Sequence, residues 1–203
     1  MSATETSRRC DEIIATHSLL QHPFYQAWND GTLPVAALAD YAREYGAFID
    51  TISHGWSVVG EPTIAKIEED HADLWDSSFA AGLGTSVTSP QIAQVANLVE
   101  MSREMFSERA TALGALYAFE AQQPETARTK LKGLKAHYSQ LPESCGQYFD
   151  IHEEDYDEPA LLAAEIDSLS DADRDRALAA CGRMSRGLYD ALTGVYEPYR
   201  STM

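Results

Sequence analysis

Apolar residues recur at spacings of three and four along most of the chain, and no alternating apolar–polar run of useful length interrupts them. From about Thr6 to Leu20 the pattern predicts a helix with Cys10, Ile13, Ile14 and His17 on one face, broken by Gln21-His22-Pro23. Phe24, Tyr25 and Trp28 form a short aromatic turn or helix, and Asn29-Asp30-Gly31 stops it. A longer helix starts near Pro34, carries Leu38, Tyr41, Tyr45, Phe48 and Ile49 inward, and runs to about Val59. The next spans about Thr63 to Ala81, with Ile64, Ile67, His71, Leu74 and Trp75 inward.

Ser89-Pro90 reads as a cap followed by a first-turn proline. Two stretches follow, about 90–107 and 108–122, which the pattern leaves open as one continuous helix. Gln123-Pro124-Glu125 starts a helix ending near Tyr138, and an acidic helical stretch covers about 144–166, bent or interrupted at Pro159. Ser170 caps a last helix over about 171–197, with Leu178, Cys181, Met184, Leu188 and Leu192 inward. The reading is all-α: about seven helices in one bundle-like domain over residues 1–203, with flexible ends at about 1–6 and 198–203.

Charge narrows the partners. A net charge of −17 repels nucleic acid and anionic membrane surfaces, so neither is expected as a partner. No stretch approaches the ~20 apolar residues of a membrane span, and the N-terminus lacks a signal-peptide segment. Cytoplasmic residence is the expectation. Cys10, Cys145 and Cys181 have no CxxC spacing and read as reduced thiols. Lysine is scarce, four residues against eleven arginines, and an acid excess with few lysines suits a salt-rich cytoplasm.

The densest chemistry lies at Tyr148–Pro159, where one histidine, six carboxylates and two phenols share twelve residues. His152 shares a helical face with Asp155 and Tyr156. Glu68 and His71, three apart, share another face, the form in which helical bundles supply a carboxylate and an imidazole to iron. Glu120 ends the apolar run Leu116-Tyr-Ala-Phe, where it is either exposed at the helix end or held by a cation. Together these oxygen and nitrogen donors suit iron, manganese or zinc. Arg128, Lys132 and Lys135 share one face, which turns Lys130 inward as a charge partner for the acids. No GxSxG, Walker or GxGxxG context exists without strands.

The segments Leu20-Gln-His-Pro-Phe-Tyr-Gln-Ala-Trp-Asn-Asp-Gly-Thr-Leu-Pro and Leu38-Ala-Asp-Tyr-Ala-Arg-Glu-Tyr resemble the opening helices of the heme-oxygenase-like superfamily. Leu116-Tyr-Ala-Phe-Glu-Ala-Gln-Gln-Pro-Glu-Thr and Tyr148-Phe-Asp-Ile-His-Glu-Glu bring the resemblance closest to the CADD branch, over about residues 8–197. The resemblance implies a seven-helix fold, a homodimer, and non-haem iron, one or two ions, that activates dioxygen. Manganese is the alternative metal. It also implies a small-molecule substrate or, as in CADD, para-aminobenzoate made from the protein's own tyrosine with a nearby lysine. By motif, Tyr25 matches the sacrificial tyrosine, Tyr41 its neighbour and Lys130 the lysine, while Glu120, His152, His71 and, on looser alignment, Glu68 match metal ligands.

One departure is clear. The family continues His-x-x-x-Asp-x-x-His, but here Tyr156 and Pro159 stand at the later positions. The site is therefore mononuclear, rebuilt through Asp155, Tyr156 or Asp157, or vestigial. In the last case the chain is a non-catalytic binding or partner protein.

Overall fold

A computed structural model describes residues 5–154 and 156–201. Among them the architecture is all-α and strandless, with eleven α-helices, eight of them eleven residues or longer. In order they are α1 (Glu5–Ala15), α2 (Pro23–Asn29), α3 (Val35–Ile49), α4 (Ile52–Val59), α5 (Pro62–Leu74), α6 (Ala93–Met105), α7 (Arg109–Glu120), α8 (Gln123–His137), α9 (Gln147–His152), α10 (Asp157–Asp167) and α11 (Asp171–Tyr196). A π-helical segment, Trp75–Ala80, continues α5. No helix among the described residues is long and apolar enough to cross a membrane.

The count exceeds seven because several of the predicted helices are split or start later than expected. The expected 34–59 helix splits at Asp50-Thr51, where the Thr51 hydroxyl turns back to the Phe48 carbonyl at 2.7 Å and tightens the turn. Ser89-Pro90 does not open a helix; α6 starts at Ala93, because buried Glu44 of α3 accepts the Gln91 and Ile92 amides at 2.7 and 2.9 Å. Between α6 and α7 the backbone is extended at Glu108, so these are separate helices. The acidic stretch breaks after His152, and Pro159 lies in the first turn of α10, where a missing amide hydrogen costs nothing.

Helix α7 is the axis of the bundle. From Ala112 to Glu120 every residue is buried, as expected of a helix enclosed on all sides. It lies against α4, α10 and α11. Gly114 permits the closest approach: a β-carbon there would overlap the Ala177 carbonyl of α11. Of the ends expected to be loose, residues 1–4, 202 and 203 lie outside the described set. Thr6 is buried in α1, and the Tyr199 hydroxyl donates to Asp40 at 2.5 Å.

Candidate metal centre

Helix α5 is mostly exposed, and its only buried residues are Ala65 and Glu68. A carboxylate takes that position without a steep desolvation cost only if it has partners. Its partner is one turn on: His71 Nδ1 lies 2.9 Å from Glu68 Oε1. Helix α9 brings the third donor. His152 is buried, its ring 4.5 Å from that of His71. One ligand atom from each of Glu68, His71 and His152 lies within 4.8 Å of the others.

The orientation of His152 is set by its own helix. Its Nδ1 lies 2.6 Å from the Tyr148 carbonyl, so Nδ1–H donates there and Nε2 carries the free lone pair. Burial pushes its pKa down to about 3, despite that bond, and the imidazole is neutral and ready to ligate. Two imidazole nitrogens and one carboxylate with open positions are a donor set that suits non-haem iron.

Glu120 lies outside the three-donor group. It is buried at the end of α7, and its Oε1 accepts from the Trp56 indole at 3.2 Å. Its charge still reaches the centre, since Glu68 and Glu120 together help hold the Tyr148 phenol well above its ordinary value, after burial itself. Tyr148 also lies 4.3 Å ring to ring from His152, and its hydroxyl accepts from Gln123 at 3.2 Å.

The three other predicted residues meet in an adjoining aromatic compartment. The hydroxyls of Tyr25 and Tyr41 are 3.4 Å apart, and burial raises both phenols. Lys130 points inward, as expected, but not toward acids. Its Nζ sits 4.9, 5.4 and 5.6 Å from the ring centres of Phe149, Tyr25 and Tyr41. Without a counter-charge, burial pushes its pKa down to about 7. Trp75, opening the π segment, joins the compartments: its ring lies 5.5 Å from Tyr41 and 4.8 Å from Tyr148.

Rebuilding through the acidic stretch fails at two of its three candidates. Tyr156 is 52% exposed and its hydroxyl bonds to Glu125 and Arg128 at 3.0 and 3.2 Å. Asp157 is exposed at the start of α10. Both sit past the break that ends α9 and so leave the face of His152. Asp155 lies outside the described residues. Sequence reasoning missed Trp56, Trp75 and Gln123 at the site, and did not give Tyr148 a role. Tyr148 was within reach, four residues before His152 on the same helical face. Trp56 was not, because nothing local ties α4 to the end of α7.

A family profile described as iron-containing redox enzyme matches residues 35–174. The chain belongs to that family. A 4-aminobenzoate synthase from Nitrosomonas europaea is 28% identical over 232 residues, covering 98% of this chain and 94% of that one. One from Chlamydia muridarum is 30% identical over 210 residues, covering 93% and 89%. The fold of this chain is that of a TenA homolog from Pseudomonas syringae, at TM-score 0.75 and 15% identity over 95% and 91% of the two chains. A CADD-like protein from Nostoc punctiforme superposes at 0.67 with 16% identity over 98% of each chain. The heme-oxygenase-like resemblance and the CADD-type oxidoreductase expectation therefore hold, and Glu68, His71 and His152 supply donors suited to the family's iron.

Proposed function

We propose that this chain makes 4-aminobenzoate, the product its relatives are named for, from its own Tyr25, with one iron ion held by Glu68, His71 and His152. The observation that carries the reading is Lys130, a buried amine set over the Tyr25 and Tyr41 rings beside a two-histidine, one-carboxylate cluster. When bound, the iron would supply one-electron redox chemistry and activation of dioxygen. Manganese takes similar donors and is the alternative ion.

The chain's own residues account for the rest. With a pKa near 7, Lys130 holds a substantial fraction of neutral amine at neutral pH, which an exposed lysine does not. A neutral amine has a lone pair and can bond the ring carbon that carries the Tyr25 hydroxyl. That C–O bond then breaks with loss of the oxygen as water, and the lysine Cε–Nζ bond breaks as the carbon is oxidised to an aldehyde, with dioxygen as the oxidant. Tyr41 receives or supplies the Tyr25 phenol proton across their 3.4 Å contact. Phe149, Trp75 and Tyr45 wall the compartment and keep water from competing with the amine. Glu120, held by Trp56, is a second carboxylate near the three donors and helps keep the nearby phenols protonated. A homodimer belongs to the same reading, through the CADD resemblance.

The test is mass spectrometry of the chain after aerobic incubation with ferrous iron and a reductant. The expected result is 4-aminobenzoate in solution and mass changes at the peptides carrying Tyr25 and Lys130 and at no other, all absent in Tyr25→Phe. Product formed while Tyr25 stays intact would remove the self-tyrosine and leave a small-molecule substrate. No product and no change at Tyr25 would sink the reading. Tyr156 and Pro159, both away from the donor cluster, favour a second reading, a non-catalytic binding protein with a degenerate site. That reading requires that the folded chain retain no metal.

A further inference from the structure

Two of the three cysteines meet away from the metal centre. Cys10 on α1 and Cys181 on α11 are separated by 171 positions, yet Cys181 Sγ lies 4.0 Å from the Cys10 carbonyl oxygen. Both side chains are fully buried where α1 packs against α11, close enough for each thiol to shift the other's ionisation. Cys145 lies elsewhere, against Gly82. We propose that Cys10 and Cys181 are a disulfide-forming pair, oxidised by a hydroperoxide, that staples the N-terminal helix to α11.

The two thiols are unequal. The neighbouring Cys181 thiol lowers the Cys10 pKa, while Cys10 and burial raise that of Cys181. Cys10 is therefore the sulfur that ionises and attacks first. Its thiolate attacks one peroxide oxygen, the O–O bond breaks, and the departing alkoxide or hydroxide takes a proton from water, leaving a sulfenic acid at Cys10. The Cys181 sulfur then attacks the sulfenic sulfur. The S–O bond breaks, and water leaves with the Cys181 proton. Two electrons pass from the two sulfurs to the peroxide, and each oxygen ends in water or an alcohol. Burial makes access depend on brief lifting of α1, the terminal helix of the described chain.

The staple touches the axis of the fold. Asp11, next to Cys10, accepts from the Tyr117 hydroxyl of α7 at 2.9 Å, and Tyr117 precedes Glu120 by three residues. Cross-linking α1 to α11 fixes that contact and closes a loop of most of the chain, which removes much unfolded-state freedom.

The experiment treats the full-length reduced protein with a small excess of hydrogen peroxide, alkylates it, and maps peptides without reduction. The expected result is one cross-linked peptide pair joining Cys10 to Cys181 and a chain lighter by two hydrogens. The melting temperature should rise by about 5–15 °C and fall back on adding dithiothreitol. Cys145→Ser should change none of this. In Cys181→Ser, Cys10 should go on to sulfinic acid without a rise in melting temperature. Wild-type protein in which Cys10 and Cys181 remain thiols, or are oxidised separately without linking, overturns the proposal. The wild-type map decides it even if a variant fails to fold.

Discussion

A lysine amine held among three aromatic rings titrates unlike one in water. Folded Lys130 has its pKa pushed down to about 7 from an ordinary 10.5. Below about 7 both folded and unfolded chains carry the proton; between about 7 and 10.5 only the unfolded chain does. Stability therefore rises with pH across that window. Lys130→Met should remove this slope and stabilise the protein at pH 6 by on the order of 3 kcal/mol. Denaturant unfolding at several pH values checks it, and a slope unchanged in the variant would show that Lys130 is not the group responsible. At this scale the sequence was partly legible. Glu68 and His71 could be paired because three residues along a helix is a contact. Lys130 could be turned inward from the helical phase, but its ring neighbours come from α2, α3 and α9. No spacing within α8 reveals them, so the expected acid partner was wrong.

At the scale of elements, the helices were legible wherever periodicity alone makes them, as in α11 with its Ser170 cap, which accepts the Asp173 amide at 3.3 Å. Breaks were not legible where a distant side chain does the breaking. Glu44 of α3 delays α6 by holding two amides before it, a bond across 47 residues. The same blindness led to Tyr156 and Asp157 being counted with His152, since one unbroken helix would have put Tyr156 on its face. The α7–α11 crossing gives the sharpest test of element packing. Gly114→Ala places a methyl against the rigid Ala177 carbonyl, so the helices must part. The expected cost is at least about 3 kcal/mol, read as a fall in melting temperature of roughly 6–12 °C. A variant that melts with the parent would mean the crossing is looser than described. Gly182→Ala on α11 is the control, since its nearest neighbour, an Ile13 methyl, stands 3.4 Å away.

At the scale of the whole molecule, the chain keeps the heme-oxygenase-like bundle over nearly its full length, with Glu68, His71 and His152 brought together inside it. The bundle is robust because its core is spread over all the long helices, so a broken acidic helix leaves α7 enclosed. The donor set is less robust, because each ligand depends on one helix ending in one place. Ending α9 at His152 keeps that histidine inside and sends Tyr156 and Pro159 away, which leaves two histidines and one carboxylate around a single point. That arrangement suits one cation, since two held close together need bridging carboxylates and a fuller set of ligands. The direct measurement is metal content after anaerobic loading with ferrous iron and desalting, on the parent and on His152→Ala. One iron per chain in the parent, lost in the variant, is the predicted result. Two irons per chain, or none, or one that survives His152→Ala, would contradict a mononuclear centre at Glu68, His71 and His152.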